Sequence, residues 1–265
     1  MAVSKWRSIA DDLIKRIDSE ELAPGAQLPT ELALQVEYNA SRNTVRDAIK
    51  WLIQRQLVVA HAGRGTFVTK KITPFAVELS ARKGLGPGDE ASAYVASAHV
   101  QNRRPSTSDP RVEIRKAGGV MARQLRIEKG ARVVSRHQQR FIDDNPWSLQ
   151  TSFYPMHFID RGAVRIVDAV DIKDGVVEYL RQELGLVQAG YQDLIAVRPP
   201  DQEESIFFDL PDSASVTLIE LSRTVYATSG EPIRFTVTVY PADRNLLYYN
   251  VGQVPETDRE VTGPA

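Results

Sequence analysis

Arg42 and Arg46 lie four residues apart in the stretch SRNTVRDAIKWL, residues 41–52. Side chains at this spacing share one face of a helix. Guanidinium groups are suited to hydrogen bonds with phosphates and with the edge of guanine. The same outward side carries further polar residues, namely Asn43, Asp47 and Lys50. The stretch therefore predicts a helix face that binds an anion, with nucleic acid as the candidate partner.

Three amphipathic segments surround this arginine pair. The first has apolar residues at helical spacing, and the second starts after Thr30, a residue type that caps helices. Asn39 then tolerates the left-handed backbone of a sharp turn. Ser41 caps the third segment, which buries one stripe: Val45, Ala48, Ile49, Leu52 and Ile53. Two helices joined by a tight turn, the second basic on its outside, predict a helix-turn-helix.

A basic hairpin follows the helices. Residues 57–70, LVVAHAGRGTFVTK, alternate like two strands around a turn at 62–65. Gly63 and Gly65 allow the backbone to approach a phosphodiester, and Arg64 lies at the tip, where it could hold a phosphate or enter a minor groove. Taken alone, each basic feature is typical of solvated surface. Their order and spacing together favour a winged helix-turn-helix that binds DNA.

Residues 24–68 resemble the winged helix-turn-helix of the GntR family of bacterial transcription regulators. The resemblance implies that Arg42 and Arg46 contact operator bases or adjacent phosphates. It assigns Ser41 and Thr44 to the DNA backbone and 63–65 to the wing. The full set of expected DNA-binding residues is Thr30, Ser41, Arg42, Asn43, Thr44, Arg46, Lys50, Gly63, Arg64, Gly65 and Thr66.

One position departs from the family pattern. The family usually has an arginine directly after the glutamate of the second helix, and here Leu32 follows Glu31. We therefore expect one customary DNA contact to be missing, with an altered affinity or operator sequence.

The amino-acid composition narrows the class of protein further. The chain has 265 residues, enough for two modest domains, and a net charge of −1. Residues 1–75 carry a net charge of +3 and the remainder −4, which points to nucleic acid at one end only. No cysteine is present, which excludes disulfides and thiolate chemistry. No apolar run is long enough to span a bilayer and the N-terminus does not read as a signal peptide, so we expect a cytoplasmic protein.

The chain divides into four parts by composition. We expect a DNA-binding domain at 1–69, a linker at 70–89 rich in glycine near its end, a second domain at 90–250 and a flexible tail at 251–265.

The second domain contains two segments that echo each other, 125–155 and 208–241. Each has a strand of about ten residues, a turn with proline, and a second strand ending in Tyr-Pro. A helix capped by Asp174 lies between them. The pattern predicts an α+β domain built on an antiparallel sheet.

Strand alternation aligns polar side chains in this domain. It groups Arg136, Gln138 and Arg140 on one face of one predicted strand. On the next strand it groups Ser148, Gln150 and Ser152, and on a later strand it groups Arg234, Thr236, Thr238 and Tyr240. Such lines are commonly solvent-exposed. The alternative is a polar cavity whose arginines and tyrosine donate hydrogen bonds to an anionic ligand.

This half resembles the UTRA effector-binding domain of the HutC subfamily of GntR regulators, which is similar in fold to chorismate lyase. The motifs RFIDDNPWSLQTSFYP and GEPIRFTVTVYPADR carry the resemblance. Gln138 and Gln150 stand where the family's sugar-phosphate sensors commonly have an arginine and a glutamate, and Arg234 stands where an acid is frequent. An amino-sugar phosphate is therefore disfavoured as effector. The expected effector-binding residues are Arg136, Gln138, Arg140, Gln150, Arg234 and Tyr240.

These observations predict a ligand-responsive repressor that binds a near-palindromic operator as a homodimer. We expect no cofactor, no metal and no catalytic residue, since the four histidines are scattered without metal-ligand spacing. Two alternatives remain: an enzyme like chorismate lyase, and a DNA-binding protein that does not respond to a ligand.

Overall fold

A computed structural model of the chain describes residues 4–61, 63–69, 73–79, 90–210 and 216–249. These residues form two compact units. The N-terminal unit comprises Met1–Thr73 with Gln202–Ser215, and the C-terminal unit comprises Pro74–Asp201 with Val216–Ala265. Of the expected linker only 73–79 are described, and the expected tail lies outside the described residues.

The N-terminal unit contains three helices and a hairpin. Their bounds are α1 Lys5–Asp18, α2 Glu31–Glu37, α3 Arg42–Gln54, β1 Val58–His61 and β2 Gly65–Val68. The two strands pair antiparallel, which confirms the predicted wing. The core contains the predicted stripe of α3, except that Ile53 is only partly buried, and Leu13, Leu34 and Leu52 are fully buried between the helices.

Local signals set the helix starts and the turn between them. The Thr30 hydroxyl accepts a hydrogen bond from the Ala33 amide at 3.2 Å, and the Ser41 hydroxyl accepts from the Thr44 amide at 3.2 Å. Asn39 has a φ of 44°, in the left-handed region. The predicted caps and turn are therefore confirmed.

The C-terminal unit is built on one sheet. Its elements are β3 Phe75–Glu78, α4 Glu90–Val100, β4 Pro105–Thr107, β5 Arg111–Lys116, α5 Gly119–Leu125, β6 Arg132–Ile142, β7 Asn145–Pro155, α6 His157–Asp160, a 3₁₀ helix Val164–Val167, α7 Val176–Leu184, β8 Gln188–Arg198, β9 Leu218–Ala227, β10 Pro232–Pro241 and β11 Asn245–Tyr248. Helix α8, Gln202–Phe207, groups with the N-terminal unit. The predicted α+β class with an antiparallel sheet is correct.

The two echoing segments form the centre of this sheet. Its strand order is β4-β6-β7-β10-β9-β8, and β5 also pairs with β6. The hairpins β6–β7 and β9–β10 are joined where β7 pairs with β10. Outside this sheet, β3 pairs in parallel with β11. The helix that was expected to start at an Asp174 cap instead begins at Val176 after Gly175, whose φ is 81°.

Helices cover both faces of the sheet. On one face, α5 packs on Phe153 and Phe235. On part of the other, α6, the 3₁₀ helix and α7 bury Val134, Tyr154 and Val225. In the described part of the chain, no helix is both long and apolar enough to cross a membrane.

Candidate DNA interface and effector site

A single carboxylate holds both arginines of α3. Glu31, the first residue of α2, accepts a hydrogen bond from Arg42 Nε at 3.2 Å and another from Arg46 Nε at 3.1 Å. Both arginine side chains are more than half exposed. The two guanidinium groups are thus kept side by side on the outer face of the helix-turn-helix.

The wing has a constrained tip. Gly63 and Gly65 have φ values of 70° and 111°. The Gln27 side chain donates to the Arg64 carbonyl at 3.0 Å, and a Cβ on Gly65 would lie 2.5 Å from Gln27 Nε2. The exposed Arg64 guanidinium lies 3.7 Å from a carboxylate oxygen of Asp209. Only glycine fits at 65 without displacing this support.

The other expected DNA-binding residues lie near these arginines in sequence and differ in exposure. Asn43 and Lys50 are exposed, while Thr44 and Thr66 are half-buried. The hydroxyls of Ser41 and Thr44 lie 2.8 Å apart, so each is within hydrogen-bonding distance of the other at the start of α3. Leu32 is 70% exposed, although it is apolar.

In the C-terminal unit, the predicted polar lines converge in a polar belt across three neighbouring strands. Cross-strand pairing aligns Arg136 with Ser152 and Thr236, aligns Gln138 with Gln150 and Thr238, and places Arg140 opposite Ser148. We use "polar belt" for these eight residues. All except Gln138 are buried. Burial excludes the alternative of an ordinary solvent-exposed face.

Arg140 is the central charge of the polar belt. It is 4% exposed and donates to Gln150 Oε1 at 2.6 Å, and Gln150 in turn donates to Thr238 at 3.2 Å. Its guanidinium lies 5.1 Å from the centre of the Tyr94 ring. Within the described ranges, no carboxylate forms an ion pair with Arg140. The belt therefore holds a buried positive charge without an acidic partner.

Ser148 has an unsatisfied hydroxyl in the polar belt. This residue lies opposite Arg140 and is 1% exposed, and its hydroxyl has no hydrogen-bond partner among the described residues. Because a buried hydroxyl without a partner costs free energy, the Ser148 hydroxyl keeps hydrogen-bonding capacity for a water or another small molecule.

Arg136 and Gln138, two further expected effector-binding residues, are engaged by neighbouring loops. Arg136 donates to the carbonyls of Ile166, Asp168 and Val170 at 2.7–2.8 Å, and burial lowers its pKa. Gln138 donates to the Ser108 carbonyl and to Asp171 at 3.2–3.3 Å. These residues hold neighbouring loops against the polar belt.

Arg234 and Tyr240 lie at opposite ends of β10. Both are buried, and Arg234 contacts the Tyr154 hydroxyl. Burial raises the pKa of Tyr154, while the positive charge of Arg234 opposes that rise.

Tyr94 of α4 is a site residue that the sequence analysis missed. It is 3% exposed, its hydroxyl donates to the Phe141 carbonyl, and burial raises its pKa against the opposing charge of Arg140. The available signal was a lone aromatic residue in a helix of small residues, EASAYVASAHV. No cluster of three acidic or histidine side chains suited to a metal occurs in the described ranges.

A winged helix-turn-helix with paired arginines, joined to an α+β unit with a buried polar belt, defines a DNA-binding regulator that carries a sensory domain. Comparison with known families agrees. Residues 5–68 match the family "Bacterial regulatory proteins, gntR family" and residues 100–245 match the UTRA domain. The chain belongs to the GntR family of transcription regulators, in the group that carries a UTRA domain.

Known relatives extend over nearly the whole chain. An HTH-type transcriptional regulator of Bacillus subtilis, YurK, is 29% identical over 91% of both chains. MngR of Escherichia coli, named as a repressor of a mannosyl-D-glycerate transport and metabolism system, is 24% identical over 90% of this chain and 92% of its own. The crystal structure of PhnF from Mycobacterium smegmatis has the same fold, with a TM-score of 0.55 at 20% identity over 92% of this chain and 99% of its own.

Proposed function

We propose that this regulator is a repressor whose affinity for its operator changes when a small anionic metabolite binds at the polar belt. The observation that carries the proposal is the buried Arg140 guanidinium, which has Gln150 and the Tyr94 ring beside it and forms no ion pair with a carboxylate of the described residues. Burying an unpaired charge is costly, and an anionic ligand would supply the missing countercharge.

The neighbouring groups narrow the class of ligand. Gln150 and Ser148 can hydrogen-bond hydroxyl groups, and neither carries the negative charge that a ligand ammonium group would need. The acids Asp171 and Asp193 are already engaged, the first by Gln138 and the second by a buried ion pair with Arg223. A hydroxylated carboxylate or phosphate fits this set better than an amino sugar.

The repressor role and the dimer rest on different support. MngR, a relative over most of the chain, is named a repressor. We propose a dimer because two copies of helix α3, placed on two half-sites of a symmetric operator, double the contacts that one small winged domain makes with DNA. Analytical ultracentrifugation should therefore give a homodimer, and a tight complex of one monomer with one half-site would contradict this part.

Thermal shift tests the effector site. Phosphorylated and carboxylated sugars should raise the melting temperature of the wild type, because a ligand that binds only the native state stabilises it. Arg140→Gln should lose this response, whereas Arg111→Gln, which removes an exposed arginine on β5, should keep it. An equal response in all three proteins would rule out Arg140 as the ligand's partner.

The two alternatives give different results in the same experiments. A ligand-independent DNA-binding protein would bind the operator equally well with and without every stabilising compound. An enzyme would convert the compound, which chromatography of the ligand after incubation would detect. The location in the cytoplasm stays a prediction that follows from the regulator role.

A further inference from the structure

Strand β3 joins the polar belt to the chain segment that leads to the DNA-binding unit. Phe75, its first residue, is fully buried. The Phe75 ring packs edge-on against Tyr94 at 5.8 Å and against Trp147 at 5.7 Å. Tyr94 is the same ring that lies under the Arg140 guanidinium. Contacts therefore run without a break from Arg140 through Tyr94 to Phe75.

A second contact fastens α4 to β3. The side-chain amide of Gln101 accepts from the Ala76 amide at 3.0 Å and donates to the Ala76 carbonyl at 2.9 Å, which reproduces the pairing of a neighbouring strand. Because Tyr94 lies within α4 and Gln101 directly follows that helix, a displacement of Tyr94 that moves α4 must carry β3 with it or break these contacts.

Leu79, which directly follows β3, is also held by several hydrogen bonds. The Leu79 amide donates to the Tyr248 carbonyl, and the Leu79 carbonyl accepts from Tyr191 at 3.0 Å and from Arg223 at 2.9 Å. Arg223 is 3% exposed and pairs with Asp193. Residues 75–79 thus belong to the C-terminal unit and do not act as a loose linker. Only residues 69–74 separate β2 from β3 along the chain.

We propose that Tyr94 is a positioning residue that couples the polar belt to β3. An anion that draws the Arg140 guanidinium away from the Tyr94 ring then shifts Phe75, and this shift alters the DNA-binding unit. This inference rests on the proposed effector site. Its physical basis is the packing itself: a cation over an aromatic ring is an attractive contact, and a close-packed aromatic cluster responds to its loss by repacking.

Hydrogen exchange tests the coupling without any ligand or DNA. In the full chain, Arg140→Gln should speed exchange at residues 75–79, because removing the guanidinium takes away its contact with Tyr94. The matched control is Arg165→Gln, which removes another arginine from a tyrosine ring, that of Tyr179 at 5.2 Å. The control should leave 75–79 unchanged. Equal exchange at 75–79 in wild type and Arg140→Gln would overturn the proposal.

Operator affinity supplies the functional test, with a duplex selected from random DNA by the wild-type protein. If coupling is of ordinary size, Arg140→Gln should change the operator Kd by about fivefold or more. In a Tyr94→Leu background that change should vanish, and in a Tyr94→Phe background, which keeps the ring, it should persist. An unchanged Arg140→Gln effect in Tyr94→Leu would contradict the coupling. Thermal shift tests the effector site independently of operator affinity. Failure of the effector site can therefore be distinguished from failure of the coupling through Tyr94.

Discussion

The Nε atom of Arg46 lies 3.1 Å from Oε1 of Glu31, fifteen residues earlier in the chain. Arg42 binds the other oxygen of the same carboxylate at 3.2 Å. Helix α3 is therefore tied to α2 by the two arginine side chains expected to read DNA. An exposed ion pair of this kind adds little stability, so its importance lies in fixing where the guanidinium groups point.

Arg46→Ala should weaken operator binding by about 1–3 kcal/mol, since a guanidinium that bonds a base edge contributes that much discrimination. Binding to random DNA should fall less. Fluorescence anisotropy with both duplexes measures the difference, after circular dichroism has verified the fold. Arg111→Ala, an exposed arginine of the C-terminal unit, serves as the control. Full operator affinity in Arg46→Ala would remove this residue from the interface.

Glu31→Gln should lower the ratio of operator affinity to random-DNA affinity. The variant loses the charge-assisted hydrogen bonds that orient Arg42 and Arg46. It also loses a negative charge that would repel the DNA phosphates, and this loss strengthens non-specific binding. A competition assay with random DNA measures this ratio. The idea fails if Glu31→Gln binds the operator with unchanged selectivity.

Arg64→Ala should weaken binding to operator and random DNA alike, because a cation at the wing tip contacts phosphates. The slope of log K against log salt concentration should become shallower by the amount that about one phosphate contact contributes. A loss confined to the operator would instead show that the wing reads bases.

Gly65→Ala should damage the wing more than Gly63→Ala. At Gly65 the φ of 111° is strained for any other residue and the new Cβ would displace the Gln27 amide, so we expect a cost of about 2–3 kcal/mol. At Gly63 the φ is 70° and no atom lies within 4 Å, so about 1 kcal/mol is expected. Denaturant unfolding of both variants provides the comparison, and equal losses would refute the role of Gln27.

Asp143→Asn should destabilise the protein at neutral pH and lose this effect in acid. The Arg104 amide and the Arg103 guanidinium both donate to Asp143, and these bonds lower its pKa. A lowered folded-state pKa gives stability that is present above the unfolded value, near 4, and lost as pH falls through the folded value. Melting temperatures from pH 7 to pH 2 test this. Asp144→Asn, in the same turn, serves as the matched control variant.

The sequence by itself determined the parts of this protein that depend on neighbours along the chain. The stripe from Val45 to Leu52, the caps at Thr30 and Ser41 and the turn at Asn39 act within a few residues, and the structure has them where they were predicted. Strand alternation also grouped the side chains of β6, β7 and β10 onto shared faces, because the period of a strand is two wherever the strand lies.

Tertiary structure alone decided which of these side chains meet. Arg136 binds three carbonyls more than 29 residues away, Arg140 lies over Tyr94 of another element, and β3 pairs in parallel with β11 near the opposite end of the chain. Periodicity carries no information about such pairs. They depend on how the sheet brings distant segments together and on which buried charges must find partners there, and both are settled only when the whole core packs.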